Sequence, residues 1–254
     1  MTMLDCLQKG IDGFYRFTPR FKKPIPKDLK VVAHRGVFDN WAVIENSYAA
    51  FDKALNYRVW GIELDIHESM DGHFIVNHDL SLERLWGERR SIGGMRLEEI
   101  QAVSQQIPTL DEVIKRYSRH CHLFIELKST VCNEKVLADS LIPLTPCADY
   151  HFLTLDEAIF SSLRLFPRES MLLVPQLLNA REFCHLCDKK GYGGVMGHYL
   201  MMTKSRLAWL KARSKLAGVG FVDSKNQLYR EVGRELDYLF SNDIPAIQAI
   251  LTSR

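Results

Sequence analysis

The sequence predicts an α/β protein folded as a (β/α)8 TIM barrel, with a small hairpin-containing insertion after the second strand. Three observations lead there. Short apolar runs alternate with amphipathic helical segments, the rhythm of βαβ units and a parallel sheet. Eight such runs remain once one short antiparallel excursion is set aside, the number a closed barrel needs. The 254-residue chain also matches the length such a barrel takes as one domain.

The elements follow in order. Residues 1–30 form an N-terminal arm, ahead of a single barrel domain at 31–254. Pro19, Pro24 and Pro26 interrupt helix formation in the arm. Arg16, Arg20, Lys22, Lys23 and Lys27 make it basic, and Phe14, Tyr15, Phe17 and Phe21 interleave with those charges. The expected role is packing against the domain, with a membrane-surface contact as the weaker alternative. Asp5, Lys9 and Asp12 break the N-terminus before any apolar run of signal length, and no uninterrupted apolar stretch reaches the roughly 18 residues a transmembrane helix needs.

Val31–Ala33 is the first strand, a helix follows near 46–57, and Gly61–Ile66 is the second strand. Asp71-Gly72 then signals a tight turn, too short for a parallel crossover, so Phe74–Val76 should return antiparallel. This excursion opens an insertion over about 67–120. The remaining strands are expected at His122–Leu127, His151–Leu155, Met171–Val174, Gly194–Gly197, Val219–Val222 and Tyr238–Phe240. Amphipathic segments at Asp156–Leu165, Ala180–Lys190 and Lys204–Arg213 lie between the later ones. An open doubly wound sheet is the alternative, but it wants a Gly-rich phosphate turn after the first strand, and His34-Arg35-Gly36-Val37 is not one.

Composition narrows the partners. With 46% hydrophobic and 25% charged residues and a formal net charge of +2, nothing points to nucleic acid. The six cysteines, Cys6, Cys121, Cys132, Cys147, Cys184 and Cys187, are scattered, as reduced thiols of a cytoplasmic protein would be. Cys184 and Cys187 have C-x-x-C spacing without a second ligand pair, so they are expected to be buried helix residues.

The chemistry concentrates at strand ends. Side chains alternate along a strand, so Glu63 and Asp65 share one face while Ile62, Leu64 and Ile66 take the other. In a barrel the acids point inward at the C-terminal end, where such barrels keep their active sites. Phe124-Ile125-Glu126-Leu127-Lys128 repeats the pattern, and the first strand ends in His34-Arg35. Three buried carboxylates would repel one another unless a cation compensates. An all-oxygen donor set suits Mg²⁺, Ca²⁺ or Mn²⁺. The competing reading is a salt-bridge network balanced by Arg35 and Lys128. His34 at one strand end and His78 after the hairpin suit an acid/base pair. Arg35 and Lys128 supply positive charge for an anionic substrate. Cation, histidines and fixed positive charge together point to phosphate-ester cleavage.

A set of short motifs runs along the chain: Ala33-His34-Arg35-Gly36, Glu45-Asn46-Ser47, Glu63-Leu64-Asp65, Asp71-Gly72, Val76-Asn77-His78-Asp79, Pro108-Thr109-Leu110-Asp111-Glu112 and Glu126-Leu127-Lys128. In this order they closely resemble the glycerophosphodiester phosphodiesterases, over essentially residues 31–250. The resemblance implies a (β/α)8 barrel and a divalent metal, Mg²⁺ or Ca²⁺ or else Mn²⁺, on Glu63, Asp65 and Glu126. It implies His34 and His78 as acid and base, Arg35 and Lys128 on the phosphate, and Glu45 and Asn46 as support. The implied substrate is a small glycerophosphodiester, hydrolysed to an alcohol and glycerol 3-phosphate. Ile44, Phe221-Val222-Asp223 and Ser241-Asn242-Asp243 depart from the family pattern and bear on substrate preference. A lysophospholipase D acting on acylated substrates and a non-catalytic phosphoester-binding barrel are the alternatives. Oligomeric state is not legible.

Overall fold

The computed structural model describes residues 10–252 apart from 12 and 177, so Asp5, Cys6, Lys9 and Asp12 lie outside the described residues. The strands are β1 Val31–His34, β2 Gly61–Glu68, β3 Phe74–Val76, β4 Ser81–Leu82, β5 Glu88–Ser91, β6 His122–Leu127, β7 Tyr150–Thr154, β8 Met171–Leu173, β9 Gly194–His198, β10 Leu216–Gly220 and β11 Tyr238–Ser241. Eight of them are parallel neighbours in the order β1-β11-β10-β9-β8-β7-β6-β2, and β2 pairs back onto β1 through Ala33↔Ile62 and His34↔Glu63. The sheet therefore closes, and helices fill the connections between its strands. The expected (β/α)8 barrel is the fold.

Alternation decides which side chains meet. Ile62, Leu64 and Ile66 of β2 and Leu123, Ile125 and Leu127 of β6 join the apolar layer between sheet and helices. The opposite parity fills the lumen with Val32, Phe124, Leu153, Leu172, Met196, Tyr238 and Phe240. Branched and aromatic side chains pack this interior, so the barrel is a core rather than a pore.

β3 pairs antiparallel with the end of β2 (Ile66↔Val76), as the Asp71-Gly72 turn requires. The insertion carries the β4–β5 hairpin and an apolar cluster of its own: Ile75, Leu82, Ile92, Met95, Ile100 and Ile107. It hands back to the barrel through the helix Leu110–Tyr117. Thr109 caps that helix: the Glu112 amide donates to its hydroxyl at 3.3 Å, and its own amide donates to the Glu112 carboxylate at 2.8 Å. The Pro108-Thr109-Leu110-Asp111-Glu112 motif thus does structural work.

One strand lies elsewhere than expected. β10 is Leu216–Gly220, not Val219–Val222. Its glycines argue against a strand by propensity, yet the barrel demands one of them: a Cβ on Gly218 would stand 2.4 Å from the Met196 sulfur. β1 runs one residue further than the apolar pattern indicated, to the inward-facing His34, and β2 two, its last residues held by pairing with β3 (His67↔Ile75, Glu68↔Phe74). Cys184 and Cys187 are buried in the helix Ala180–Lys190, as expected. Among the described residues no helix is long and apolar enough to cross a membrane.

Candidate functional site

The closed register brings three strand ends together. His34 ends β1, Glu63, Asp65 and His67 face inward from β2, and Glu126 does so from β6, with Asp65 opposite Glu126 in the ladder. One carboxylate oxygen each from Glu63, Asp65 and Glu126 lies within 4.8 Å of the others, and all three residues are buried. His34, Arg35, His78 and Lys128 line the same cleft of ≈ 650 Å³ with Glu63 and Glu126.

The loop after β1 is shaped by unusual backbone. Arg35 and Asn46 adopt left-handed conformations (φ 57° and 55°), and Gly36 does so at φ 85°. A side chain on Gly36 would collide with the Ala50 backbone at 2.7 Å, so only glycine fits between loop and helix. Such strain clusters at functional sites. Here it aims Arg35 and Asn46 at the acids: the Arg35 amide donates to Glu63 Oε2 (3.1 Å) and the Asn46 side chain donates to Asp65 Oδ2 (2.9 Å). Asn46 Oδ1 also accepts from the Asp65 amide at 3.4 Å. Arg35 reaches Glu45 Oε1 at 3.0 Å, and its Nε stands 3.1 Å from Asp65 Oδ2 at an angle too poor for a hydrogen bond. Glu45, itself buried, is clamped from the other side by Arg84 of the insertion at 2.7 Å.

The carboxylates do not titrate alike. Burial pushes Glu63 well upward, and Asp65 and Glu126 add to the push. Burial, then Asp65, raises Glu126 to about 7. Burial also pushes Asp65 upward, but Arg35 and Lys128 outweigh it, and Asp65 falls below its ordinary range. Arg35 and Lys128 rise despite burial, because Asp65 faces both. Two of the six carboxylate oxygens, Glu63 Oε1 and Asp65 Oδ1, are buried and accept no hydrogen bond from any described residue. Unsatisfied buried anionic oxygens are costly, and a hard cation is the partner they lack. The donor set therefore fits a divalent metal.

Each histidine is oriented by one neighbour. His34 Nδ1 donates to Asn242 Oδ1 (2.7 Å), and His78 Nδ1 donates to Asp79 Oδ1 (2.7 Å); the tautomers follow from those acceptors. In both rings Nε2 is then the nitrogen that bears no hydrogen when the ring is neutral. His34 Nε2 sits 3.7 Å from Glu63 Oε2. Burial, then Arg35, lowers His34 to about 3, and burial also lowers His78, although Asp65 and Asp79 oppose this. Lys128 Nζ donates to Glu126 Oε1 at 2.7 Å and lies 3.3 Å from Asp65 Oδ1. It serves as counter-ion to the triad while also facing the cleft.

The profile of the glycerophosphoryl diester phosphodiesterase family matches residues 34–192, more than half of the chain. The protein belongs to the glycerophosphoryl diester phosphodiesterase family. A family enzyme of Caldanaerobacter subterraneus, named a glycerophosphodiester phosphodiesterase, is 34% identical over 124 residues, 44% of this chain and 50% of that protein. One from Bacillus subtilis with the same name is 28% identical over 123 residues, 41% of each chain. The chain spans about half the length of the curated relatives it matches. Solved structures are alike over more: a glycerophosphodiester phosphodiesterase from Agrobacterium tumefaciens superposes with a TM-score of 0.74 at 22% identity, over 87% of this chain and 99% of that one. An Oleispira antarctica phosphodiesterase, solved with the product sn-glycerol-3-phosphate, gives 0.73 at 21% identity, over 90% and 97%. At these identities the structures establish the shared fold.

Several residues of the site escaped sequence reasoning. His67 continues the inward parity of Glu63 and Asp65, and its Nε2 donates to the His78 carbonyl (3.1 Å). The alternation would have found it had the strand been extended past Ile66. Asn242 stood out only as a departure from the family pattern, yet it holds His34. Phe221, whose ring lies 4.3 Å from that of His34, likewise stood out only as a departure from that pattern, and Arg84, which bridges Glu45 and Asp79, carried no local signal.

Proposed function

We propose that this protein hydrolyses glycerophosphodiesters to an alcohol and glycerol 3-phosphate, with a divalent cation held by Glu63, Asp65 and Glu126. The observation that carries the reading is a buried, under-satisfied carboxylate triad at one cleft, which Glu63 and Glu126 line together with two oriented histidines and two fixed cations. The family and the product bound to the Oleispira neighbour support the substrate class. Mg²⁺ and Ca²⁺ are the first candidates and Mn²⁺ the next, since all three take oxygen ligands. The bound cation supplies charge for the phosphoryl oxygens and a template for their orientation.

The chain's own residues do the rest. Arg35 and Lys128 draw the phosphate into the cleft and stabilise the charge that develops on it. Glu45 and Asn46 support Arg35 and Asp65 from behind. His34, the less exposed of the two with its side chain 13% exposed and a neutral amide partner, stays unprotonated and accepts a proton at Nε2. His78, half-exposed and backed by the Asp79 carboxylate, is the better holder of a proton and delivers one to the leaving oxygen. A second reading, acylated substrates, is favoured by the apolar wall of the cleft, where Leu153, Val174, Met196, Phe221 and Phe240 stand.

The test is turnover of glycerophosphocholine, glycerophosphoethanolamine, glycerophosphoglycerol and a lysolipid, with and without chelator. Chelation should abolish hydrolysis, and Mg²⁺ or Ca²⁺ should restore it. His34→Ala and His78→Ala should each lose about 10²–10⁴-fold in rate. Full turnover by both variants, or by metal-stripped protein, would refute the reading.

A further inference from the structure

The described surface carries nine exposed large apolar side chains, and they are unevenly placed. Only Ile142 and Leu165 follow helices that run back to the N-terminal end of the barrel. The other seven belong to the catalytic end or to the arm laid over it. Leu178, fully exposed, is in the loop after β8 and lines the cleft mouth. Trp41, 93% exposed, crowns the loop after β1, where Asp39 Oδ1 accepts the amides of Trp41, Ala42 and Val43 and so pushes the indole outward. Met70 and Leu80 follow β2 into the insertion, Leu80 two residues beyond His78.

The arm covers the interval between these loops. Asn226 Nδ2, at the start of the helix after β10, donates to the Arg16 carbonyl (2.8 Å), and the Arg20 amide donates to Asn226 Oδ1 (3.3 Å). Arg16 pairs with Asp243 just past β11 at 3.4 Å, and Tyr15 packs edge-on against Tyr199 after β9. Anchored there, the arm exposes Phe14, Phe17 and Phe21. The strand order β8-β9-β10-β11-β1-β2 makes these positions consecutive around the rim. Apolar residues therefore follow one continuous arc of the catalytic mouth, not scattered points. Residues 13–27 hold five basic residues and no acidic one.

We propose that this arc docks the catalytic mouth onto an anionic lipid surface. Each Phe, Trp41 and Leu178 would enter the boundary between headgroups and acyl chains, while Arg20, Lys22 and Lys23 meet the lipid phosphates, the pairing of an apolar face with basic neighbours that such surfaces retain. A second copy of this chain could bury the aromatics but would set the basic arm against its own like charge. The absence of acids between residues 13 and 27, the stretch that carries the three exposed Phe, favours an anionic bilayer. The mouth, with its apolar wall, then opens toward the lipid.

Binding to vesicles needs no turnover, so the test stands apart from the phosphodiesterase reading. Wild-type protein is mixed with vesicles of phosphatidylglycerol and phosphatidylcholine, or of phosphatidylcholine alone, and the vesicle-bound fraction is measured by flotation. Binding should require the anionic lipid and weaken as salt rises. Phe17→Ser/Phe21→Ser and Trp41→Ser should each lower the vesicle affinity at least tenfold with unchanged melting temperature, and Lys22→Glu/Lys23→Glu should do the same. No binding to the anionic vesicles, or binding indifferent to these changes, overturns the proposal. So does wild-type dimerisation in sedimentation velocity that the Phe17→Ser/Phe21→Ser variant abolishes, which would assign the arc to a second copy.

Discussion

The side-chain carbonyl of Asn242 lies 2.7 Å from His34 Nδ1, and Asp223 in turn accepts the Asn242 backbone amide (2.7 Å) and side-chain amide (3.2 Å). A chain of contacts from the loop after β10 through the loop after β11 thus sets the ring at the end of β1. Because the Asn242 oxygen can only accept, the Nδ1–H tautomer is selected and Nε2 faces the triad. Asn242→Ala should leave the fold and cation affinity intact, yet cost about 10–100-fold in kcat, the usual effect of removing a ring-orienting partner. Steady-state kinetics and calorimetric cation binding on one preparation check this. Unchanged kcat would mean that the contact orients nothing of catalytic use.

Lys128 poses a sharper question, because it is both counter-ion and cleft residue. If its role were structural, Lys128→Met would strand buried carboxylates and cost about 3–5 kcal/mol. A cation on the triad offsets that loss, whereas nothing offsets a missing phosphate contact. Melts of Lys128→Met with Mg²⁺ present should therefore lie near wild type, while kcat/KM falls by about two orders of magnitude. A large drop in melting temperature with near-normal turnover would reverse the assignment.

Cation binding should release protons at neutral pH. Glu126 stands at about 7 and Glu63 well above its ordinary range, so the metal-free site holds protons that a bound cation must displace. A carboxyl raised on folding makes the folded state the better proton binder, so the metal-free fold loses stability as pH climbs through the ordinary carboxylate range toward about 7. Affinity for Mg²⁺ should accordingly rise with pH across that window. Calorimetric titration near pH 6.5 in buffers of different ionisation heat measures it, and an observed heat independent of buffer would contradict the assignment.

At the opposite end of the lumen, His122 Nδ1 donates to the Ala148 carbonyl (2.9 Å) and its Nε2 meets His151 Nδ1 at 2.8 Å, with Trp60 stacked on the His122 ring. Burial holds these rings neutral, lowering His122 to about 4 and His151 to about 3. A histidine lowered on folding leaves the unfolded chain as the better proton binder. Its contribution is complete above pH about 6.5 and drains away as pH falls toward about 3–4, at about 1.4 kcal/mol per unit and group. Urea melts between pH 4 and 7 should show this slope, and His151→Leu should make it shallower. An equal slope in the variant would place the acid sensitivity elsewhere.

Much of this was legible beforehand because a strand's alternation is a local property. The two-residue period of Glu63 and Asp65 against Ile62, Leu64 and Ile66 is written in adjacent residues, and a barrel converts that parity into inward and outward without further information. The turn at Asp71-Gly72 determined in the same local way that β3 returns beside β2. By contrast, β10 starts three residues before the expected position, where Gly218 answers to Met196 on the neighbouring strand, a contact no propensity encodes. Asn242 beside His34 and Arg84 beside Glu45 join residues 208 and 39 positions apart. Chain order contains no distance between them; only closure of the ladder and docking of the insertion set it. The sequence by itself therefore determined which side chains could serve a phosphate ester. The tertiary structure decided which neighbours orient them, because orientation comes from hydrogen bonds between segments that meet only once the barrel has closed.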